Sequence, residues 1–334
     1  MKLNRILKLF AFLTMLLSAF SCNAGAWDQY KSLYLQDNGA VTDTYNNNMT
    51  HSEGQSYGLL FALAYNDKEA FDRILKWTED NLYDPESGLH YWAYKPNEAD
   101  PTADHNNASD GDLLMAWALL KAGKAFNDPA YTRKAEMLAQ AISDKCTVSF
   151  GGRTLLLPGI QSFYLNSAVI VNPSYLILPA LRDLAAHTHQ KIFDNLYQDG
   201  KKLLKDLMDI NLKVRLTPDW VNVDAQGALS PAAQWPARSS YDAIRVPLYV
   251  YWDDPSSPLL APWRQWFSSF PAFKTPAWVN VTTGETADYA LTPGLASVRD
   301  LITGIPVSEP VFTDQDDYYN ASLKLLCFLA ANKF

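Results

Sequence analysis

Cysteine, histidine and positive charge are all scarce in this chain. Of 334 residues, three are Cys and five are His, too few and too scattered for a disulfide framework or a zinc constellation. Lys and Arg together number 28 against 36 Asp and Glu, a formal charge of −8. That deficit of basic residues argues against nucleic acid or anionic lipid as partners. Beyond the first twenty residues no segment approaches the roughly 18 consecutive apolar residues of a membrane span, so no stable span is expected. No glycine-rich linker or shift in composition divides the chain, and one domain is expected over 27–334.

The N-terminus is different in character. Lys2, Arg5 and Lys8 precede an apolar stretch from Leu9 to Phe20, and Ala24-Gly25-Ala26 reads as an A-x-A cleavage site. Residues 1–26 are therefore expected to be a secretory signal, which makes the mature protein periplasmic or secreted. Cys22 offers a competing reading as a lipoprotein anchor, although Phe20 is bulky for such a site. Removing these residues takes away three basic groups and no acid, moving the formal charge from −8 to about −11. Cys146 and Cys327 remain, and an oxidising compartment would permit one disulfide if they meet.

What is abundant is aromatic surface. Ten Trp and 18 Tyr in an acidic exported chain suit a sugar-binding groove as well as they suit an aromatic core. Apolar spacing of i, i+3, i+4 predicts helices over 27–35, 52–65, 68–82, 109–126, 129–145, 173–186, 191–210, 240–252, 261–270, 292–302 and 318–330. Short β-rich pieces fall at 89–94 and 147–157. Helices in consecutive pairs of about 50 residues fit a helical toroid in which inner and outer helices alternate, so that the inner N-termini share one end of the ring.

Two of those inner helices begin alike. Ser52-Glu53-Gly54-Gln55 and Ser109-Asp110-Gly111-Asp112 each read as a capping box, with Ser as N-cap and Gln55 or Asp112 as its partner. The acid between is not needed for the cap, and the glycine costs up to about 1 kcal/mol in a helix. Clearance for something large, such as a sugar chain, accounts for the glycines. A third acid, Asp242, follows Ser240 at the start of another apolar helix. Each acid alone could simply favour the helix dipole. Three at one mouth beside stacking rings suggest glycoside hydrolysis, which needs one carboxyl as proton donor and another to activate water or attack.

At these residues the chain resembles glycoside hydrolase family eight. The carriers are Ala108-Ser109-Asp110-Gly111-Asp112-Leu113-Leu114-Met115-Ala116-Trp117, Thr50-His51-Ser52-Glu53-Gly54-Gln55-Ser56-Tyr57-Gly58, Asn172-Pro173-Ser174-Tyr175 and Ser240-Tyr241-Asp242-Ala243-Ile244-Arg245-Val246. The resemblance runs from about Trp27 to Asn320, and within the family it is greatest to the periplasmic endo-1,4-β-glucanases associated with bacterial cellulose synthase. It implies an all-α (α/α)6 barrel with short β elements in its loops, no metal or other cofactor, and inverting hydrolysis of internal β-1,4-glucan bonds. Glu53 then matches the proton donor, Asp242 the base, and Asp110 the acid that holds the distorted sugar. Trp92, Asn107, Tyr175, Trp220, Tyr241 and Arg245 are the expected substrate contacts. A cellulose chain is the expected partner, with the cellulose synthase machinery as a further one. Xylan, mixed-linkage glucan and chitosan stand as alternative substrates, and a non-catalytic glucan-binding role is the rival from another class.

Overall fold

The computed structural model describes residues 25–165, 167–313 and 316–334, so the secretory signal and Cys22 lie outside the described residues apart from Gly25 and Ala26. Eleven α-helices account for the architecture: α1 Ala26–Tyr34, α2 Ser52–Ala64, α3 Lys68–Asn81, α4 Ser109–Ala125, α5 Pro129–Lys145, α6 Leu178–Thr188, α7 Lys191–Asp209, α8 Arg245–Asp253, α9 Ala261–Ser268, α10 Pro293–Thr303 and α11 Tyr318–Ala331. Neighbouring helices pack in the order α2, α4, α6, α8 and α11, and α11 returns to α2. Helices α3, α5 and α7 lie against α2, α4 and α6 from outside. This is the (α/α)6 barrel.

Composition explains which helices are inside. In α2, 11 of 13 residues are buried, and polar Ser52, Gln55 and Ser56 are among them. In the outer α5 only 5 of 17 are buried, on one stripe. A helix that is apolar nearly all round must be enclosed, whereas an amphipathic one can face water. Trp117, Tyr57, Phe61, Leu59 and Leu60 are fully buried where the inner helices meet.

Short antiparallel strands fill the loops. The expected β pieces are present as β1 Leu89–His90, β2 Ala93–Tyr94, β3 Thr147–Phe150 and β4 Arg153–Leu156, with Trp92 half-buried between β1 and β2. A four-stranded sheet over Tyr164–Leu165, Ala168–Val171, Val221–Asp224 and Leu229–Pro231 was not expected. Its Val169, Val171, Val221 and Val223 form a separate apolar cluster with Leu203 and Leu207 of α7.

The expected capping boxes are absent. His51 and Ala108 occupy the N-cap positions, so Ser52 and Ser109 are already helical and neither side chain caps. Gln55 instead turns outward to the Gly39 carbonyl, the Val41 N–H and Thr78. Asp112 accepts from the His90 N–H and ring and from the Asn107 amide. Two helices are also shorter than expected. Residues 173–175 form a separate 3-10 turn before α6, and 241–244 form a turn before α8. Cys146 and Cys327 are both buried and free, so the disulfide does not form.

The glycines serve the packing. A Cβ on Gly111 would lie 2.4 Å from Ser52 Oγ and 2.9 Å from the Glu53 nitrogen, and one on Gly54 would lie 2.7 Å from the Tyr318 hydroxyl. Clearance is needed for the neighbouring inner helices, which brings Glu53 and Asp110 side by side, and the sugar-chain explanation of these glycines is set aside.

Candidate active site

Three chain segments meet at one end of the ring. Glu53 stands in the first turn of α2, Asp110 in the first turn of α4, Asp242 in the turn before α8, and Arg245 is the first residue of α8. Arg245 is 4% exposed and is the hub. Its Nη1 donates to Glu53 Oε2, and its Nη2 donates to Asp242 Oδ1 at 2.9 Å and to Ser174 Oγ at 3.1 Å. Asp110 Oδ2 lies 3.9 Å from the same Nη2. Three carboxyls therefore share one guanidinium. A planar fork of donors suits this better than a lysine, whose charge is a point.

The count of charges has consequences. Burial, then the charge of Glu53, pushes the Asp110 carboxyl well above the usual carboxylate range. Arg245 and a 2.9 Å bond from the Gly111 N–H oppose that shift without cancelling it. Asp242 is also raised, by burial and by Glu53, against the pull of Arg245 and the Asn172 amide. The side chain of Asp242 is 34% exposed, that of Glu53 17%, and that of Asp110 only 4%. Two carboxyls at the mouth can thus meet a ligand, and a third beneath them favours keeping its proton.

Aromatic residues lead away from the acids. The His51 ring lies parallel to Trp92, with centroids 6.2 Å apart, and burial lowers its pKa against the charges of Glu53 and Asp43. Trp92 Nε1 donates to Asp104 at 2.8 Å. Tyr175 feels Asp110, Asp242 and Glu53, and its ring meets Trp220 edge-on at 6.4 Å. Trp220 in turn stacks on Trp235 at 4.5 Å and parallels Phe163 at 5.7 Å. Tyr241 is exposed, shares a hydroxyl contact of 3.2 Å with Tyr289, and accepts at its carbonyl from Tyr319.

Of the expected contacts, Trp92, Tyr175, Trp220, Tyr241 and Arg245 border this mouth or its aromatic extensions. Asn107 does not join them. It is 5% exposed, its Nδ2 is engaged by Asp112 at 2.9 Å and Cys146 at 3.4 Å, and its Oδ1 accepts from the Ile160 N–H. Its amide is consumed by the fold. Sequence reasoning missed Ser174, which sits on Arg245, and Asp219, which holds the turn bearing Asp242. Ser174 lies in a segment that carries the resemblance, Asn172-Pro173-Ser174-Tyr175, and Asp219 directly precedes the expected contact Trp220. A small hydroxyl and an acid beside a conspicuous Trp carried no separate signal.

Comparison with known proteins agrees with this geometry. The family model described as glycosyl hydrolases family 8 matches residues 3–333. An endoglucanase of Cellulomonas uda is 44% identical over 84% of this chain and 78% of its own length. A probable endoglucanase of Novacetimonas hansenii is 37% identical over 92% of this chain and 90% of its own length. Among solved structures, the crystal structure of a family 8 endoglucanase from Klebsiella pneumoniae covers 92% of this chain and 99% of that one, at 45% identity and a TM-score of 0.90. With the barrel, the shared guanidinium and this similarity along nearly its whole length, the chain belongs to glycosyl hydrolase family 8 and is a glycoside hydrolase.

Proposed function

We propose that the protein is an endo-1,4-β-glucanase that cuts internal β-1,4-glucosidic bonds of cellulose with inversion. The observation that carries this reading is Arg245, one buried cation binding Glu53 and Asp242 and facing Asp110. Glu53 protonates the glycosidic oxygen as that bond breaks. Asp242 takes a proton from the water that attacks the anomeric carbon from the opposite face. An inverting pair is generally separated by ~6.5–9.5 Å so that the water fits. For Glu53 to carry its proton, the Arg245 contact must open, and a sugar seated between them supplies the reason to open it. Asp110, raised toward its protonated form, can donate to a sugar hydroxyl while Oδ1 still accepts from Gly111.

The names of the relatives, all endoglucanases, support a β-1,4-glucan as substrate. The aromatic rings on Trp92 and Trp220 suit the apolar faces of pyranoses. Export to the periplasm or beyond, from the basic and apolar N-terminus, places the enzyme where a bacterial cell lays down cellulose, and we propose a part in cellulose biosynthesis there. The test is direct. Carboxymethylcellulose viscosity should fall quickly while few reducing ends appear, and proton NMR should show the α-anomer first. Glu53→Gln and Asp242→Asn should each lose activity about 10²–10⁴-fold with the fold retained. Full activity in either variant sinks the assignment, and β-product appearing first sinks inversion. A panel of xylan, mixed-linkage glucan and chitosan beside cellulose derivatives ranks the substrates.

A further inference from the structure

Asp242 is not held by a helix. It sits in the four-residue turn Tyr241–Ile244, between the short strand Arg238–Ser239 and the start of α8. Such a turn has few hydrogen bonds of its own: the Ile244 N–H reaches the Ser240 carbonyl and the Arg245 N–H reaches the Asp242 carbonyl, both at 3.0 Å. The Val246 N–H reaches the Ala243 carbonyl at 3.0 Å, Tyr319 donates to the Tyr241 carbonyl, and further support comes from one carboxyl on another segment. Asp219 Oδ1 accepts from the Ser240 N–H at 2.9 Å and from the Ala243 N–H at 2.8 Å, and Oδ2 is bonded to Ser240 Oγ. The Asp219 N–H is itself fastened to the Arg238 carbonyl at 2.7 Å. Asp219 is 8% exposed, so water has little access to these bonds.

We infer that Asp219 is the positioning residue of the base: its carboxyl clamps the Tyr241–Ile244 turn so that Asp242 faces the mouth beside Arg245. This rests on the reading of Asp242 as base. The same clamp couples two parts of the site, because Trp220 follows Asp219 directly and Tyr241 and Asp242 lie within the clamped turn. Oδ1 must accept, since both of its partners are backbone N–H groups, whereas Oδ2 meets a hydroxyl that can donate or accept. Asp219 can therefore gain or lose a proton on Oδ2 without releasing the turn.

Electrostatics keeps the clamp neutral while the base titrates. Burial and the charge of Asp242 push Asp219 up to about 6. Because the charge of Asp242 contributes to that rise, Asp242 loses its proton first, and Asp219 is still protonated on Oδ2 as it does so. Facing Asp242 from the other elements are Arg245 of α8, Glu53 of α2, Asp110 of α4, the Asn172 amide and the phenols of Tyr175 and Tyr319. Of these charges only Arg245 favours ionisation of Asp242.

Two substitutions separate clamp from charge. Asp219→Asn keeps an acceptor for both N–H groups and a donor for Ser240 while removing the charge. Its kcat should stay within about tenfold of the parent, and the acidic limb of its kcat/KM profile, set by Asp242 while Asp219 is neutral, should stay where it is in the parent. Asp219→Ala removes the clamp, and kcat should fall tenfold or more with KM within about twofold. Asp219→Asn as slow as Asp219→Ala, or a folded Asp219→Ala with parental kcat, overturns the inference. Should Asp219→Ala fail to fold by circular dichroism, Asp219→Ser takes its place, and parental kcat there overturns the inference. Asp242→Asn assayed alongside keeps the two readings apart: activity there removes the base itself, whereas inactivity there with parental kcat in the variant lacking the clamp removes only the role of Asp219.

Discussion

Asp110 and Asp112 stand two residues apart in the first turn of α4, and they belong to opposite kinds of structure. Asp112 has no exposure and is fully answered: the His90 N–H at 3.1 Å, the His90 ring at 2.9 Å and Asn107 Nδ2 at 2.9 Å all reach its oxygens. Asn107 passes the chain on to Cys146 and Ile160. That cluster joins α4 to β1 and to the loop after β4, and nothing in it is left over. Asp110, equally buried, has the Gly111 N–H on one oxygen, while the other stands 3.9 Å from a guanidinium already shared by Glu53 and Asp242. Two positions along a helix point to different sides, so one turn can carry both. A satisfied buried carboxylate is structure. A surplus of carboxyls over cations, opening on a mouth, marks the candidate site.

Exchange of the two acids for amides should split activity from stability. Asp110→Asn should lower kcat about 10²-fold or more, in the range of lost acid–base and positioning groups, with unfolding free energy at neutral pH equal to the parent or higher. Asp112→Asn should do the reverse. One of its acceptor oxygens becomes a donor facing donors, at about 1–3 kcal/mol of stability, while the folded fraction keeps most of its kcat. Denaturant melts and initial rates on carboxymethylcellulose check both, and equal effects of the two substitutions on both readouts would erase the distinction.

Gly111→Ala probes the seam between the clusters. The added methyl meets Ser52 Oγ and the Glu53 backbone, so it should destabilise by about 1–3 kcal/mol and lower kcat as well, because Glu53 must move. A change in pH sharpens the comparison further. The folded-state pKa of Asp110 lies above its unfolded value, so between the two the folded state holds the extra proton and stability falls as pH rises. Stability of the parent should therefore decline from about pH 4 upward relative to Asp110→Asn, and thermal melts from pH 4 to 8 measure the divergence. The smallest effect is reserved for reductant. Since Cys146 and Cys327 are free and buried, dithiothreitol should leave the melting temperature unchanged.

Much of the site was legible before any coordinates. Glu53, Asp110 and Asp242 each precede an apolar helix run, and alternate helices in a toroid bring their starts to one end. Arg245 was legible as a partner of Asp242 three residues away. Its wider role was not, because nothing in local spacing ties residue 245 to residues 53 and 174. Asn107 lay in a marked stretch yet faces inward, and Asp219 was hidden beside Trp220. Ser52 and Ser109 looked like caps because short polar residues before an apolar run usually are. Here the chain enters each helix one residue earlier, and the boundary depends on strand pairing, with Thr50 and His51 opposite Tyr94 and Ala93.

The sequence by itself determined the helical class, the inner and outer alternation and the presence of an acid at or just before three helix starts, since each follows from local pattern. Side-chain period and helix-start chemistry act over a few residues and need no knowledge of distant neighbours. Only the tertiary structure decided which polar groups answer which. Asp112 became part of the frame and Asp110 part of the site because His90 and Asn107 reach one and Arg245 the other. Those partners come from segments far apart in the chain, and burial makes their presence or absence count for several times what it would in water.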